Sequence, residues 1–183
     1  MDEFRRLYRD DMLERFQATK GLADRALAQV ADTDFFRQID EESTSLAQMV
    51  KHVGGNLRSR FTDWLTTDGE KPDRHRDQEF VIGKADTREA LSAAWEHGWA
   101  CLFGSIEALE DEDFMRSIPI RSEPHSIPKA LSRSLGHVSQ HVGQIIYLAR
   151  HLRGAEWQTL SIPKGQSQAF LEKMQSRWEK DAR

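Results

Sequence analysis

The sequence predicts an all-α protein built as a four-helix bundle, and three observations support this prediction. Apolar residues recur every three or four positions through four segments of roughly 20–28 residues, as in helices with one buried face. A capping residue precedes each segment, and strand-like alternation is almost absent. We therefore expect a single domain over residues 1–183, with long connections after the second and third helices and a short helix at the C-terminal end.

The first two bundle helices are predicted over about residues 2–31 and 45–66. Asp2 can cap the first helix through its carboxylate. Ser45 and Gln48 fit a capping box, in which each side chain satisfies a backbone N–H group at the start of the second helix.

Two features around the second helix have more than one interpretation. Gly54 and Gly55 lie in its interior, where each glycine costs roughly 1 kcal/mol relative to alanine. We therefore expect a neighbouring backbone or a ligand to come close there. The following connection, residues 67–85, is long and polar, and it is either functional or a plain solvated crossover.

The third and fourth helices are predicted over about residues 87–109 and 127–153. Ser126 caps the fourth helix, and Pro128 lies in its first turn, where no N–H group is needed. Gly154 is suited to the left-handed conformation that ends a helix.

Two shorter segments complete the chain. Pro119 and Pro124 predict an extended or hairpin-like connection over residues 114–127, because proline interrupts helices. The tail helix is predicted over about residues 167–180, with an apolar face formed by Phe170, Leu171, Met174 and Trp178.

Composition excludes several classes of protein. The chain is 38% hydrophobic and 31% charged, which is typical of a soluble globular protein, and its net charge of -4 gives no general attraction to nucleic acid. No run approaches the roughly 18 apolar residues needed to span a bilayer, so no membrane association is expected. Cys101 is the only cysteine, which excludes an intrachain disulfide and Cys-based zinc sites. The charged first residues lack the apolar core of a signal peptide, so we expect a cytoplasmic protein.

Three histidines carry the strongest chemical signal. His137 and His141 are four residues apart on the fourth helix, so both imidazoles leave the same side about one turn apart. His52 lies midway along the second helix, at the edge of its apolar face. If the two helices are neighbours, three imidazoles converge and leave one coordination position open, as in catalytic zinc sites. The alternative is that each histidine is a partly buried helix residue bonded to a carbonyl group or to water.

The ligand type does not identify the metal. We expect one divalent ion, with zinc or nickel leading and iron, cobalt or manganese also acceptable. No Glu-x-x-His motif is present, so a ferritin-like di-iron centre is not expected.

The chain resembles the DinB-like (YfiT-like) superfamily of small bacterial four-helix-bundle metalloenzymes, in an uncharacterised branch. The metal motifs that carry the resemblance are Lys51-His52-Val53-Gly54-Gly55-Asn56 and Gly136-His137-Val138-Ser139-Gln140-His141-Val142-Gly143-Gln144. The branch is indicated by Asp63-Trp64-Leu65-Thr66-Thr67-Asp68-Gly69-Glu70-Lys71-Pro72 and Ser161-Ile162-Pro163-Lys164-Gly165-Gln166-Ser167. The resemblance implies that His52, His137 and His141 bind the metal.

The resemblance also implies a reaction type. Characterised relatives include transferases and isomerases that use low-molecular-weight thiols such as bacillithiol, mycothiol or glutathione. It therefore implies a thiol-dependent S-transferase, isomerase or hydrolase acting on a small molecule, with a metal-bound water or thiol as the reactive group and no protein residue assigned to catalysis. The alternatives are a non-catalytic metal-binding or stress-response protein with a structural metal, and a plain interaction module. A homodimer is compatible with all three.

Four residues are candidates for substrate binding: Asn56, Arg60, Trp99 and Lys164. Asn56 lies one turn from His52 and could bond a substrate or a metal ligand, although a local polar contact is an equal alternative. Trp99 is either core or pocket wall. Lys164 precedes the tail helix, where an anion could bind, or where the tail simply packs.

The remaining charged and titratable residues have simpler interpretations. Arg60 belongs to a group that could hold a substrate carboxylate, or could simply be solvated: Arg58, Arg60, Arg74 and Arg76. His97 and Cys101 could form a second metal pair or bring a thiol near the site, but the small residues around them favour close helix packing. The last three histidines are interpreted as surface residues: His75, His125 and His151.

Overall fold

Six helices, α1 to α6, and a two-stranded hairpin are present within residues 2–181, the part of the chain that the computed structural model describes. The helices occupy Glu3–Leu27, Asp32–Phe35, Leu46–Phe61, Arg88–Glu107, Ile127–Arg153 and Ser167–Asp181. The predicted all-α class is confirmed, because the four long helices α1, α3, α4 and α5 match the four predicted segments. Helix α3 packs against α4, α1 packs against α5, and α3 also packs against α5. That last contact is the one that a site shared by the second and fourth bundle helices requires.

Two of the predicted helices are shorter than expected. Helix α1 ends at Leu27 instead of residue 31, because Arg88 donates to the carbonyl oxygens of Leu27 and Val30 and so satisfies the end of the helix. A short turn then leads to α2, which the sequence pattern did not indicate. Helix α3 ends at Phe61 instead of residue 66, because Asp63 adopts a φ of 47° and the chain turns there.

The predicted capping residues perform as expected. Ser45 and Gln48 form a complete capping box at α3. The Ser126 hydroxyl accepts from the Lys129 N–H group at the start of α5, and Gly154 ends that helix with a φ of 53°. At α4 the cap is Thr87, whose hydroxyl accepts from the Ala90 N–H group. Local sequence therefore determines where these three helices begin.

The predicted hairpin-like connection is an antiparallel pair of strands, β1 (Ser117–Ile120) and β2 (Glu123–Ser126). Its turn residues, Arg121 and Ser122, both have positive φ. Asp68 holds the turn, because its carboxylate accepts from the backbone N–H groups of both turn residues. The connection after α3 therefore docks onto the hairpin.

The surface interpretation of His125 was wrong. It lies on β2 opposite Ile118 and is buried, with Nδ1 bonded to the Glu123 carbonyl oxygen. His75 and His151 are exposed, as expected.

The glycines of α3 allow a close helix crossing. A Cβ atom on Gly98 of α4 would lie 2.4 Å from the Gly54 carbonyl oxygen, and one on Gly54 would lie 2.9 Å from the Ala94 carbonyl oxygen. The backbones of α3 and α4 therefore come close together at Gly54, as the sequence predicted.

Helix α6 lies at the surface and exposes its apolar residues, including Phe170 and Trp178. No helix in the described part of the chain combines the length and the apolar character needed to cross a bilayer.

Candidate metal centre

The three histidines predicted as ligands come together between α3 and α5. Their ring centroids lie 5.3 Å apart for His52 and His137, 4.8 Å for His52 and His141, and 4.7 Å for His137 and His141. One nitrogen from each ring can be chosen so that all three lie within 4.8 Å of one another. No other group of three metal-ligating side chains with this property occurs among residues 2–181.

Hydrogen bonds outside the cluster fix which nitrogen faces inward on two of the rings. Nδ1 of His52 lies 2.7 Å from Oε2 of Glu79, and because a carboxylate only accepts, Nδ1 carries the proton. Nδ1 of His141 donates in the same way to Oε1 of Gln144, over 2.9 Å. Both rings therefore turn Nε2 inward, and this is the nitrogen left available to bind a metal.

The spacing of the inward nitrogens of His52 and His137 fits a tetrahedral ion. Nε2 of His52 lies 3.3 Å from Nε2 of His137. Two ligand nitrogens at the usual metal–nitrogen distance of about 2.0–2.1 Å are about 3.3–3.4 Å apart in tetrahedral coordination. Three imidazole ligands, with this pair at the expected spacing, therefore suit a divalent metal.

Electrostatics keeps two of the rings neutral. Burial, with the neighbouring imidazoles and Arg133 and Arg74, lowers the pKa of His137 to about 3. Burial and the neighbouring His52 also lower the pKa of His141, against the opposing effect of Gln144. Neutral imidazoles at physiological pH need no deprotonation before they bind a cation.

One polar atom at the site has no partner. Nδ1 of His137 is buried and forms no hydrogen bond with any described residue. A buried nitrogen without a hydrogen-bond partner costs free energy. No hydrogen bond outside the cluster orients this ring, as Glu79 and Gln144 orient the other two, so it is the least constrained of the three.

Glu79 anchors His52 and is itself held firmly. Arg74 donates to both carboxylate oxygens, from Nε to Oε1 and from Nη2 to Oε2, each over 2.9 Å. Gly55 leaves room for it, since a Cβ atom there would lie 2.5 Å from Oε1 of Glu79. Burial raises the pKa of Glu79, but the bonds to His52 and Arg74 lower it by more than burial raises it. The group is therefore a carboxylate. The polar connection after α3 therefore contributes to the site.

Glu79 and the adjacent Phe80 were not predicted from the sequence as parts of the site. The Phe80 ring stacks on His52 with centroids 4.7 Å apart, and the Arg76 guanidinium lies 5.4 Å from the Phe80 centroid. Gly55 was the one signal in the sequence that pointed to a close approach here, and it did not identify the group that approaches.

The predicted substrate-binding residues lie in three separate places. Asn56 and Arg60 are buried on α3, one and two turns after His52. Trp99 is buried in the core, where its ring contacts Phe16, Trp95 and Phe103. Lys164 is exposed before α6. No hydrogen bond or ring contact within residues 2–181 connects Trp99 or Lys164 with the histidines.

The remaining candidates are the arginines and the His97–Cys101 pair, and they differ in burial and in position. Arg76 is exposed and Arg58 is half-buried, whereas Arg74 is buried like Arg60, so simple solvation was the wrong interpretation for Arg60 and Arg74. His97 is exposed on α4, with Nε2 3.8 Å from Sγ of Cys101. The pair does not belong to the three-histidine cluster.

Comparison with known protein families gives a match over most of the chain. The family described as "Protein of unknown function (DUF1572)" matches residues 3–166, a range that holds all three histidines and ends just before α6. No curated protein matches the chain.

Proposed function

The chain belongs to the family described as "Protein of unknown function (DUF1572)", and from this premise we propose that it is a divalent-metal-dependent enzyme of the DinB-like superfamily. The proposed ligands are His52, His137 and His141, with zinc or nickel as the leading metals. The proposed reaction is thiol transfer, or a related isomerisation or hydrolysis, on a small molecule.

One observation carries the proposal: three imidazoles from two neighbouring helices converge, and two of them are oriented by bonds to Glu79 and Gln144. Orienting partners of this kind are typical of metal-binding histidines and raise their basicity. Three nitrogen ligands leave at least one position of a tetrahedral ion for water or substrate.

A divalent ion held by these histidines would lower the pKa of a bound thiol or water and so would supply a nucleophile near neutral pH. The protein residues hold the geometry. Glu79 keeps the proton of His52 on Nδ1, and Phe80 stacks on that ring and limits its rotation. Asn56, one turn along α3, is the nearest candidate on this helix for a hydrogen bond to substrate.

Turnover of a thiol with an electrophile tests the proposal. Metal-loaded protein is incubated with glutathione, bacillithiol or mycothiol and an aryl halide; a sulfur–carbon bond forms, the halide leaves, and the thiol proton passes to solvent. We expect turnover that is lost in His137→Ala while the helical circular dichroism spectrum is kept. Absence of activity in this screen and in a screen of activated esters would contradict an enzymatic role.

Burial of His52, which is only 3% exposed, favours a second candidate function in which the metal is structural. An ion held by both α3 and α5 would cross-link the bundle and add its binding free energy to folding. Chelation distinguishes the two functions. A large fall in melting temperature in a protein without turnover supports the structural role, whereas loss of turnover with a small fall supports the catalytic one.

A further inference from the structure

A line of polar residues runs along the buried face of α3. His52, Asn56 and Arg60 follow one another at four-residue spacing, so they lie on one side of the helix, and all three are buried. The helical rise between the first and the last is about 12 Å. The neighbouring buried residues of α3 are largely apolar, so this line is the polar route that leaves the three histidines along the helix.

Arg60 has hydrogen-bonding capacity that the described chain does not use. The residue is 4% exposed, and its Nε and Nη1 atoms are buried with no partner among residues 2–181. Only Nη2 is bonded, to Oε2 of Glu70 over 3.0 Å. Glu70 also accepts from Arg74 and Arg121, so one carboxylate serves three guanidinium groups. Burial of unpaired donors is costly, and it leaves a cationic site with too few anions.

Helix α5 adds a second cation and a further unpaired group. Arg133 is exposed one turn before His137, and its charge acts on both His137 and Arg60. Ser134 is buried, and neither its hydroxyl nor the Asn56 amide forms a hydrogen bond with another described residue. Helices α3 and α5 pack together, and because the charge of Arg133 acts on both Arg60 and His137, this part of α5 lies near the segment of α3 that runs from His52 to Arg60.

We propose that Arg60, with Asn56 and Arg133, forms a subsite that binds a carboxylate of the substrate, whose reacting group lies at the three histidines. This inference rests on the proposed function for the reacting end only. The substrate class that it names is a small molecule with a carboxylate several bonds from the reacting atom.

The charge of the proposed subsite favours a carboxylate as its ligand. Burial lowers the pKa of Arg60, Glu70 only partly offsets this effect, and Arg74 and Arg133 lower it further, so an added anion would relieve mutual repulsion. A monoanion is favoured over a phosphate dianion because the cost of removing an ion from water rises steeply with its charge. Guanidinium groups bind carboxylates through strong charge-assisted hydrogen bonds.

The first test needs no metal. Metal-free protein is titrated with hexanoate, and the Nε–H resonances of arginine are followed by NMR, with Arg60→Met to assign the Arg60 signal. We expect a saturable shift of that signal with hexanoate and none with hexan-1-ol, which has the same chain without the charge. An Arg60 signal that moves no more than the signal of Arg116, which lies near the surface beside Asp113, would overturn the subsite.

The second test joins the two ends of the substrate. Cobalt-loaded protein is titrated with 6-mercaptohexanoate and with 6-mercaptohexan-1-ol, and binding is read from the cobalt absorption bands. We expect the acid to bind about tenfold more tightly than the alcohol, as one charge-assisted contact provides. The preference should disappear in Arg60→Met, weaken several-fold in Arg133→Met and persist in Arg116→Met.

The outcomes separate the subsite from the proposed function. Equal binding of acid and alcohol by the cobalt-loaded protein overturns the subsite and leaves the metal centre intact. Failure to bind cobalt contradicts the proposed function, and the hexanoate titration then decides the subsite alone. If Arg60→Met does not fold, the exposed Arg133→Met variant decides the matter, because an unchanged preference in it would contradict the proposal.

Discussion

Nδ1 of His52 lies 2.7 Å from Oε2 of Glu79, a residue 27 positions further along the chain. The carboxylate is buried, bonded twice by Arg74, and fits only because Gly55 has no side chain. A histidine on α3 is therefore oriented by the polar connection that follows the helix. This pairing gives the site a rigid element that does not depend on the bundle helices alone.

Replacing Glu79 with glutamine should weaken metal binding. The glutamine side chain would keep a similar shape but lose the charge that orients His52 and raises its basicity, so we expect affinity to fall about 10–100-fold. Competition with a chromophoric chelator measures this change. The control Asp77→Asn lies in the same connection with a highly exposed side chain, and it should bind metal like the wild type. Equal affinities in the two variants would show that Glu79 does not support the site.

Gly55→Ala tests the same contact from the opposite side. The new Cβ atom would lie 2.5 Å from Oε1 of Glu79 and would displace the carboxylate from His52 and Arg74. We therefore expect weaker metal binding, together with a loss of folding stability because a buried ion pair is disturbed. Gly104→Ala is a matched control in α4, where a Cβ atom meets nothing within 4 Å. It should leave metal affinity unchanged, and unchanged affinity in Gly55→Ala would contradict the account.

Gly98→Ala should destabilise the fold. Its Cβ atom would lie 2.4 Å from the Gly54 carbonyl oxygen, and a backbone atom cannot move aside without separating α3 from α4. Overpacking of this kind costs about 1–3 kcal/mol. Urea denaturation measures the change, and Gly104→Ala should instead gain up to about 1 kcal/mol of stability from helix propensity. A stability equal to the wild type would show that the two helices are not in close contact.

Acid should weaken the connection between the α3 loop and the hairpin. Partial burial raises the pKa of Asp68, but the hydrogen bonds from the backbone N–H groups of Glu70, Ser122 and Arg121 lower it by more. The pKa of Asp68 in the folded protein therefore lies below its ordinary value of 3.8. The folded state therefore favours the carboxylate, so this stabilisation is present above pH 3.8 and is lost as the pH falls through the lowered value. We expect Asp68→Asn to reduce the free energy of unfolding at neutral pH. The difference in unfolding free energy between the variant and the wild type should become smaller as the pH falls below 3.8. A difference independent of pH would count against this role.

The helices and the three histidines could be predicted because their signals are local. Ser45 and Gln48 cap α3 wherever that helix packs, and the four-residue spacing of His137 and His141 fixes their common side. The position of His52 at the edge of the apolar face allowed it to meet them, on the condition that the two helices are neighbours. The capping and spacing inferences needed only helical periodicity.

The remaining features depend on tertiary contacts that periodicity does not encode. Glu79 and Phe80 belong to a polar connection without a regular pattern, so nothing in their spacing relates them to His52. His125 follows a proline in a short strand, where a polar residue is usually exposed, and it is buried because the hairpin docks on the bundle. The unpaired nitrogens of Arg60 likewise become visible only when its neighbours are known.

The metal content of the purified protein is the most direct test of the three-histidine site. The protein is purified without a polyhistidine tag, equilibrated with zinc or nickel, freed of excess metal and analysed by elemental mass spectrometry beside His137→Ala and the exposed-site control His75→Ala. We expect about one ion per chain in the wild type and in His75→Ala, and almost none in His137→Ala, because two imidazoles hold a tetrahedral ion much less firmly than three. A wild-type protein without bound metal, or equal metal content in all three proteins, would contradict the three-histidine site.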